Sequence, residues 1–172
     1  MRIDKEALKR TFDISIETAN TMMGHDDPNF RRIHHHNHHV TLYIKDYIMK
    51  EKCKYYFEIG THFGHSLCNL LQSAYASKYV SCDLFLRGST IANDCKIRDI
   101  ESLAKKNVEK FNTNGYDCTI LRGNSHSAEM LERVQREFPE GIDLLFIDGD
   151  HRRRAVIADF KSIFPWLTLA DT

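Results

Sequence analysis

The stretch FEIGTHFGHS, residues 57–66, begins in a short apolar run and continues into a polar segment that suits the start of a helix. Gly60 and Gly64 stand four residues apart just after the apolar run, and Glu58 precedes them. Glycine lacks a Cβ atom, so this pair lets the backbone turn sharply and approach a ligand. A helix N-terminus favours phosphate or carboxylate groups, but Glu58 would repel a pyrophosphate. The pattern favours a ligand with an amine or hydroxyl donors; the alternative is a tight turn without a ligand.

From residue 54 onward, short apolar runs alternate with segments of helical periodicity. The predicted strands are 54–60, 78–85, 117–123 and 142–150, and the predicted helices are 66–76, 99–115, 127–138 and 153–167. This alternation predicts an α/β fold, a doubly wound and mostly parallel Rossmann-like sheet with helices on both faces. A fifth strand would begin near Thr168, so we expect a sheet that is truncated after the fourth or fifth strand.

The first 50 residues have a different pattern from the rest of the chain. Apolar residues at helical spacing predict one helix over 3–23 and another over 38–50. We therefore divide the chain into an N-terminal helical cap, residues 1–50, and a sheet domain, residues 51–172.

Composition limits the classes of partner. Lys plus Arg and Asp plus Glu each total 24, so the formal net charge is zero. A neutral balance gives no support for non-specific binding to nucleic acid or membranes, and we expect neither as a partner. The N-terminus lacks the apolar core of a signal peptide, and no apolar run reaches membrane-spanning length. The five cysteines are scattered without a CxxC pair, which indicates reduced thiols in a cytoplasmic protein.

A second acid, Asp83, ends the second predicted strand, 23 residues after Gly60. Ligands of parallel sheets bind at the carboxyl ends of the strands, and a carboxylate there can accept two hydrogen bonds from a ribose diol. Together with the glycine turn, Asp83 favours a nucleoside-containing ligand.

Four segments carry a resemblance to a known family. They are EIGTHFG at 58–64, Asp83, LRGNS at 121–125 and FIDGDH at 146–151. In this order they resemble the first motif, the ribose-binding acid, the adenine-pocket segment and the fourth-strand motif of class I S-adenosylmethionine-dependent methyltransferases. The last segment is similar to a small-molecule subgroup that carries IDGDH. The resemblance covers residues 54–172 and implies that the sheet domain binds S-adenosyl-L-methionine.

The resemblance also implies a role for each matching residue. Gly60 and Gly64 would lie against the methionine part of the cofactor, with Glu58 and Thr61 at the same turn. The remaining contacts would be Asp83 on the ribose hydroxyls, Asn124, Ser125 and His126 at the adenine edge, and Asp148 facing the cofactor amine or the substrate.

Two features concern how far the resemblance extends. His62 stands where many members of the family have a middle glycine, a departure that the IDGDH subgroup often shares. Segments before the first strand often form a lid in this family, which is the role implied for residues 1–50.

A truncated sheet would expose an apolar edge, so we also expect self-association into a homo-oligomer.

Three ionisable residues, Asp148, Asp150 and His151, crowd the end of the fourth predicted strand. Methyl transfer to an oxygen needs a base near the acceptor or a metal that lowers the pKa of the hydroxyl. We assign catalysis to Asp148 and His151, because an imidazole titrates near neutrality. In the alternative, Asp148 binds a divalent ion, but only LADT at 169–172 approximates the family's second metal-binding pair, so we assign no metal ligand. For Asp150 the alternative role is to cap the following helix.

Two charged runs admit competing interpretations. RRIHHHNHHV at 31–40 holds five histidines, and those four residues apart could share a helix face and bind a metal. No carboxylate or cysteine is fixed beside them, so we favour an exposed helix start near the mouth of the pocket. Arg152, Arg153 and Arg154 predict a solvated helix face; the alternative is recognition of an anionic substrate group.

Three functions follow from these observations. The first is O-methylation of a small molecule, and the second is an S-adenosylmethionine-binding module without catalysis, or a fragment that needs a partner. The third is a Rossmann-type dehydrogenase, which the absence of GxGxxG disfavours because a pyrophosphate needs the middle glycine.

Overall fold

The computed structural model describes residues 37–86 and 99–168. The helices are α1 (Asn37–Glu51), α2 (His65–Ser73), α3 (Ile100–Phe111), α4 (Ala128–Glu137) and α5 (Arg153–Ile163), and the strands are β1 (Tyr55–Ile59), β2 (Lys78–Asp83), β3 (Asp117–Arg122) and β4 (Leu144–Ile147). A 3-10 turn, Phe164–Trp166, follows α5. The helix predicted over 3–23 lies outside the described residues.

The strands form one parallel sheet in the order β3-β2-β1-β4. From β1 the chain moves outward through β2 to β3 and then returns to the other side of β1. The order therefore reverses between β1 and β4, which pair from Tyr56↔Leu144 to Ile59↔Ile147. This reversal confirms the predicted doubly wound α/β fold and defines the switch point at which such sheets bind ligands.

Helices cover both faces of the sheet because successive strand side chains point to opposite sides. Tyr56 and Tyr79 lie in one core cluster with residues of α1, α2 and α3. Phe57 and Val80 lie in a second cluster with residues of α4 and α5. Helix α1 places Ile44 and Ile48 inside the first cluster, so this part of the predicted cap packs on the core of the sheet domain.

The outer edge of β4 is only partly covered. All four residues of β4 are only half-buried, whereas four of the five in β1 are buried. One isolated parallel bridge, Ile142↔Leu167, lies beside this edge. It is closed by bonds from the Ile142 N–H to the Trp166 carbonyl at 2.8 Å and from the Thr168 N–H to the Ile142 carbonyl at 2.9 Å. Residues 169–172, over which the fifth strand predicted to begin near Thr168 would run, lie outside the described residues.

Several predicted boundaries were wrong by a few residues. Helix α3 ends at Phe111 and not at residue 115, because Asn112 leaves the helix and binds the backbone of Tyr116 through both ends of its amide. Helix α5 ends at Ile163, where Pro165 in the next turn cannot continue the hydrogen-bond ladder. Within the described ranges, no helix is long and apolar enough to cross a membrane. The four cysteines described there are free thiols.

Candidate active site

The carboxyl ends of all four strands meet at one edge of the sheet, as predicted. The Gly60 N–H donates to the Cys82 carbonyl at 2.8 Å, which ties the turn after β1 to the end of β2. The Gly123 N–H donates to the Asp83 carbonyl at 2.9 Å and ties β3 to β2 in the same way. The Asp148 N–H donates to the Ile59 carbonyl at 2.8 Å. The predicted site segments are therefore neighbours in space.

Glycine is required at position 60 for a structural reason that the sequence did not reveal. Its φ is +107°, and a Cβ at this position would stand 2.4 Å from the Asp148 carbonyl oxygen and 2.7 Å from the Gly149 nitrogen. The close approach that requires glycine is thus to the backbone beyond β4, on the other side of the switch point. Gly64 has a φ of +80° and only ordinary contacts around its missing Cβ, so its backbone conformation is what favours glycine.

His62 adopts the conformation that a glycine would supply. Its φ is +47°, in the left-handed region, and its N–H donates to Asp83 Oδ2 at 2.8 Å. The imidazole lies against the Phe63 ring, with centroids 3.8 Å apart. Burial lowers the pKa of His62, and the nearby Asp83 carboxylate partly offsets that effect. The departure from the family pattern therefore leaves the turn intact.

Asp83 is held in place by backbone groups. Its Oδ1 accepts from the Phe85 N–H at 2.6 Å, and its Oδ2 accepts from the His62 N–H. The residue is half-buried. Each carboxylate oxygen has two lone pairs, so both retain capacity for a further donor such as a ribose hydroxyl.

Glu58 is fully buried beneath the turn and does not lie open to a ligand. Tyr56 Oη donates to its Oε2 at 2.8 Å, and Ser66 Oγ donates to its Oε1 at 2.7 Å. Burial raises the pKa of Glu58 to about 8, although these two hydrogen bonds act in the opposite direction. Most Glu58 side chains are therefore protonated at neutral pH. The repulsion expected between Glu58 and a pyrophosphate then applies only to the small ionised fraction.

Thr61 directs its hydroxyl towards β2 and away from solvent. Its Oγ1 lies 2.6 Å from Ser81 Oγ, and both residues are buried. A cofactor contact by Thr61 would therefore have to come from its backbone.

The segment after β3 forms a compact turn. Asn124 Oδ1 accepts from the His126 N–H at 3.0 Å, and the Asn124 carbonyl accepts from the Ser127 N–H at 2.9 Å. Ser125 Oγ donates to Asp159 Oδ1 at 2.5 Å, and His126 Nε2 lies 2.7 Å from the same oxygen. Asp159, on α5, was not among the predicted site residues.

The predicted catalytic pair is in contact. His151 Nε2 lies 3.2 Å from Asp148 Oδ1; the His151 side chain is 80% exposed and that of Asp148 is 32% exposed. Burial raises the pKa of Asp148, and the neighbouring His151 opposes this shift. The imidazole is thus accessible to a substrate while its carboxylate partner is sheltered.

Asp150 does not cap α5, so that alternative was wrong. Arg152 is the N-cap residue, and Asp150 Oδ1 accepts from the Arg152 N–H at 3.0 Å. The guanidinium of Arg152 also pairs with both Asp150 oxygens and lowers the pKa of this carboxyl to about 2. Arg153 and Arg154 are exposed, in agreement with a solvated helix face.

No group of three or more His, Cys, Asp or Glu side chains that could hold a metal ion occurs in the described part of the chain. Two segments considered as possible metal ligands lie partly or wholly outside the described part of the chain. The LADT segment and residues 34–36 of the histidine run fall outside the described residues.

Several residues that shape the site were missed. Tyr56 and Ser66 hold Glu58, Ser81 holds Thr61, and Asp159 holds the segment after β3. Tyr56 could have been found, because residues two apart on a strand share a face. The partners of Thr61 and of the β3 segment come from distant elements and leave no signal in local sequence spacing.

One family model and one curated relative match the chain. A family model described as a methyltransferase domain matches residues 57–169. An uncharacterised protein of Acanthamoeba polyphaga mimivirus is 30% identical over 139 residues, which cover 80% of this chain and 57% of the viral protein.

Solved structures resemble the fold. The O-methyltransferase from Bacillus cereus, in complex with SAH, superposes with a TM-score of 0.54 and 18% identity, covering 98% of this chain and 64% of that one. The calicheamicin methyltransferase CalS11 superposes with a TM-score of 0.53 and 14% identity, covering 98% of this chain and 76% of CalS11. The chain thus spans less than two thirds of the length of the viral and Bacillus proteins.

Proposed function

The chain belongs to the methyltransferase-domain family, and from that membership we propose that it transfers a methyl group from S-adenosyl-L-methionine to a hydroxyl oxygen of a small molecule. The observation that carries this proposal is the hydrogen-bond network between the turn after β1 and the end of β2, beside the switch point. It joins the Gly60 turn, the His62 N–H and the Asp83 carboxylate into one rigid edge.

The residues of this edge fit the cofactor. Asp83 is fixed by two backbone donors and keeps lone pairs for a ribose diol. Helix α2 begins at His65 directly after Gly64 and has no side-chain cap, so its N–H groups suit the carboxylate of the methionine part. When bound, the cofactor would supply an electrophilic methyl group on a sulfonium.

The chain's own contribution to transfer would be to remove a proton from the acceptor. His151 is exposed at the strand end, and Asp148 lies on its Nε2 side at 3.2 Å. A carboxylate in contact with an imidazole orients the ring and stabilises its protonated form. We propose His151 as the base that takes the hydroxyl proton and Asp148 as its partner. The IDGDH motif, which contains both groups, would place the chain in the small-molecule subgroup.

A cofactor-binding module without catalysis is the alternative. The open edge of β4 favours it, because in the described ranges only the isolated Ile142↔Leu167 bridge lies beside that edge. In that case another segment or partner would have to complete the substrate side of the pocket.

Calorimetric titration with S-adenosylmethionine and with NAD tests the cofactor. Binding of the first alone supports both methyltransferase hypotheses, and binding of NAD alone would favour a dehydrogenase. A transfer assay over phenols, sugars and carboxylates then separates the enzyme from the module.

The base assignment has its own test. We expect His151→Gln to lower kcat by roughly a hundredfold while the affinity for S-adenosylhomocysteine stays that of the parent. Glu129→Gln, an exposed change on α4, is the matched control. An unchanged kcat in His151→Gln would remove His151 from the mechanism.

A further inference from the structure

We propose that Asp159 is a positioning residue that holds the turn formed by residues 123–127, here called the β3 turn, in its ligand-binding conformation. The inference rests on the proposed function, which makes this turn the edge of the adenine pocket. Asp159 lies on α5 and is 3% exposed, so it would act through the turn and not by touching the ligand.

The contacts of Asp159 converge on two consecutive residues. Its Oδ1 accepts from Ser125 Oγ at 2.5 Å and lies 2.7 Å from His126 Nε2. A carboxylate that is almost fully buried is costly unless polar partners compensate it. Both side-chain partners come from the β3 turn, 34 and 33 residues earlier in the chain. The burial of Asp159 and the conformation of the turn are therefore mutually dependent.

The other end of the β3 turn is fixed to the backbone of Asp83, the residue proposed to bind the ribose. The Gly123 N–H donates to the Asp83 carbonyl at 2.9 Å, and Asn124 Oδ1 accepts from the His126 N–H inside the turn. The turn is thus held from β2 on one side and from α5 on the other. Asn124 is exposed between these two attachments, where its amide could contact an adenine edge. A turn that is ordered before binding costs less entropy when the ligand arrives.

A serine, a histidine and an aspartate could suggest a nucleophilic triad. The hydrogen bonds among Ser125, His126 and Asp159 do not have the pattern that a triad needs. A serine nucleophile needs a hydrogen bond to the imidazole that takes its proton. Here Ser125 Oγ donates to Asp159, and His126 contacts that same oxygen. Asp159 is a shared anchor for two neighbours and not the third member of a relay.

Calorimetry with S-adenosylhomocysteine and with adenosine tests the proposal on the full chain. Asp159→Leu removes the acceptor, and we expect both ligands to bind about tenfold or more weakly, because ligand binding must then order a turn that is no longer anchored. Asp159→Asn keeps an acceptor oxygen and should recover most of the affinity. Fluorescence of Trp166, the chain's one tryptophan, establishes that each variant is folded.

The outcomes separate the two claims. If the parent binds neither ligand, the proposed function fails, and this inference fails with it. If the parent binds both and Asp159→Leu binds equally well, the positioning role alone is wrong. If Asp159→Asn binds the ligands as weakly as Asp159→Leu, the positioning role is also wrong, because the loss of affinity would then not depend on the acceptor oxygen.

A second variant serves if Asp159→Leu does not fold. Ser125→Ala removes one donor from a half-buried position. In the ligand-free protein we expect faster hydrogen exchange at the amides of His126 and Ser127, together with weaker adenosine binding. Parental exchange rates at both amides would overturn the proposal.

Discussion

Replacement of Glu58 by glutamine should remove a pH dependence of stability that arises from burial of this carboxyl. Burial raises the pKa of Glu58 from 4.5 to about 8 in the folded chain. Between these values the folded state holds a proton that the unfolded state has released. The free energy of unfolding therefore falls as pH rises through this window. Above pH 8 the carboxyl is ionised in both states and adds no further slope.

The size of the effect follows from the same two values. They differ by about 3.5 pH units (8 − 4.5), and at about 1.36 kcal/mol per unit this gives a loss of up to about 5 kcal/mol across the window. Water entry and relaxation around the ionised group would reduce that figure. Glutamine has nearly the same shape and can still bond to the hydroxyls of Tyr56 and Ser66, but it does not titrate.

Urea unfolding followed by Trp166 fluorescence measures the difference between Glu58→Gln and the parent at pH 5 to 9. We expect the variant to gain stability relative to the parent by several kcal/mol as pH rises. Taking the difference cancels the contribution of the histidines, which both proteins share. Glu101→Gln is the control: Lys105 and Arg122 lower the pKa of Glu101, so its titration lies below this window. A Glu58→Gln difference that stays within about 1 kcal/mol over the whole range would refute the reasoning.

Two substitutions test the turn itself. Gly60→Ala should destabilise the fold by several kcal/mol, because its Cβ would stand 2.4 Å from the Asp148 carbonyl oxygen, whereas Gly149→Ala, with a nearest contact of 3.4 Å to a side chain, should cost much less. Equal midpoints of urea unfolding for these two variants would contradict the described approach of the strands. His62→Gly should change stability by no more than about 1 kcal/mol, since relief of the left-handed conformation offsets the greater chain entropy of glycine. Loss of S-adenosylhomocysteine binding in His62→Gly would show that its imidazole, and not only its N–H, is needed.

The fold could be predicted because its signals are local. An apolar run that ends in Gly60, and another that ends in Asp83, mark buried strands whose carboxyl ends must share one edge of a parallel sheet. Helix ends were less accurate, because side chains such as that of Asn112 compete for backbone groups in ways that apolar periodicity does not record.

The internal support of the site could not be predicted from spacing. Gly60 is needed because the Asp148 backbone passes beside it, and that contact exists only once β4 has returned to pair with β1. Asp159 stands between apolar residues of α5 and carries no local sign that it meets the β3 turn. Glu58 was recognised as a site residue, but its burial, which determines its charge, depends on how α2 packs over the turn.

The central claim is that Gly60 and Asp83 belong to one cleft that binds S-adenosyl-L-methionine. Calorimetric titration of the parent and of Asp83→Ala with S-adenosylhomocysteine tests it most directly. We predict one binding site in the parent and an affinity at least about tenfold weaker in the variant, from the loss of hydrogen bonds to the ribose diol. Equal affinity in the two proteins, or no binding by the folded parent, would contradict the account.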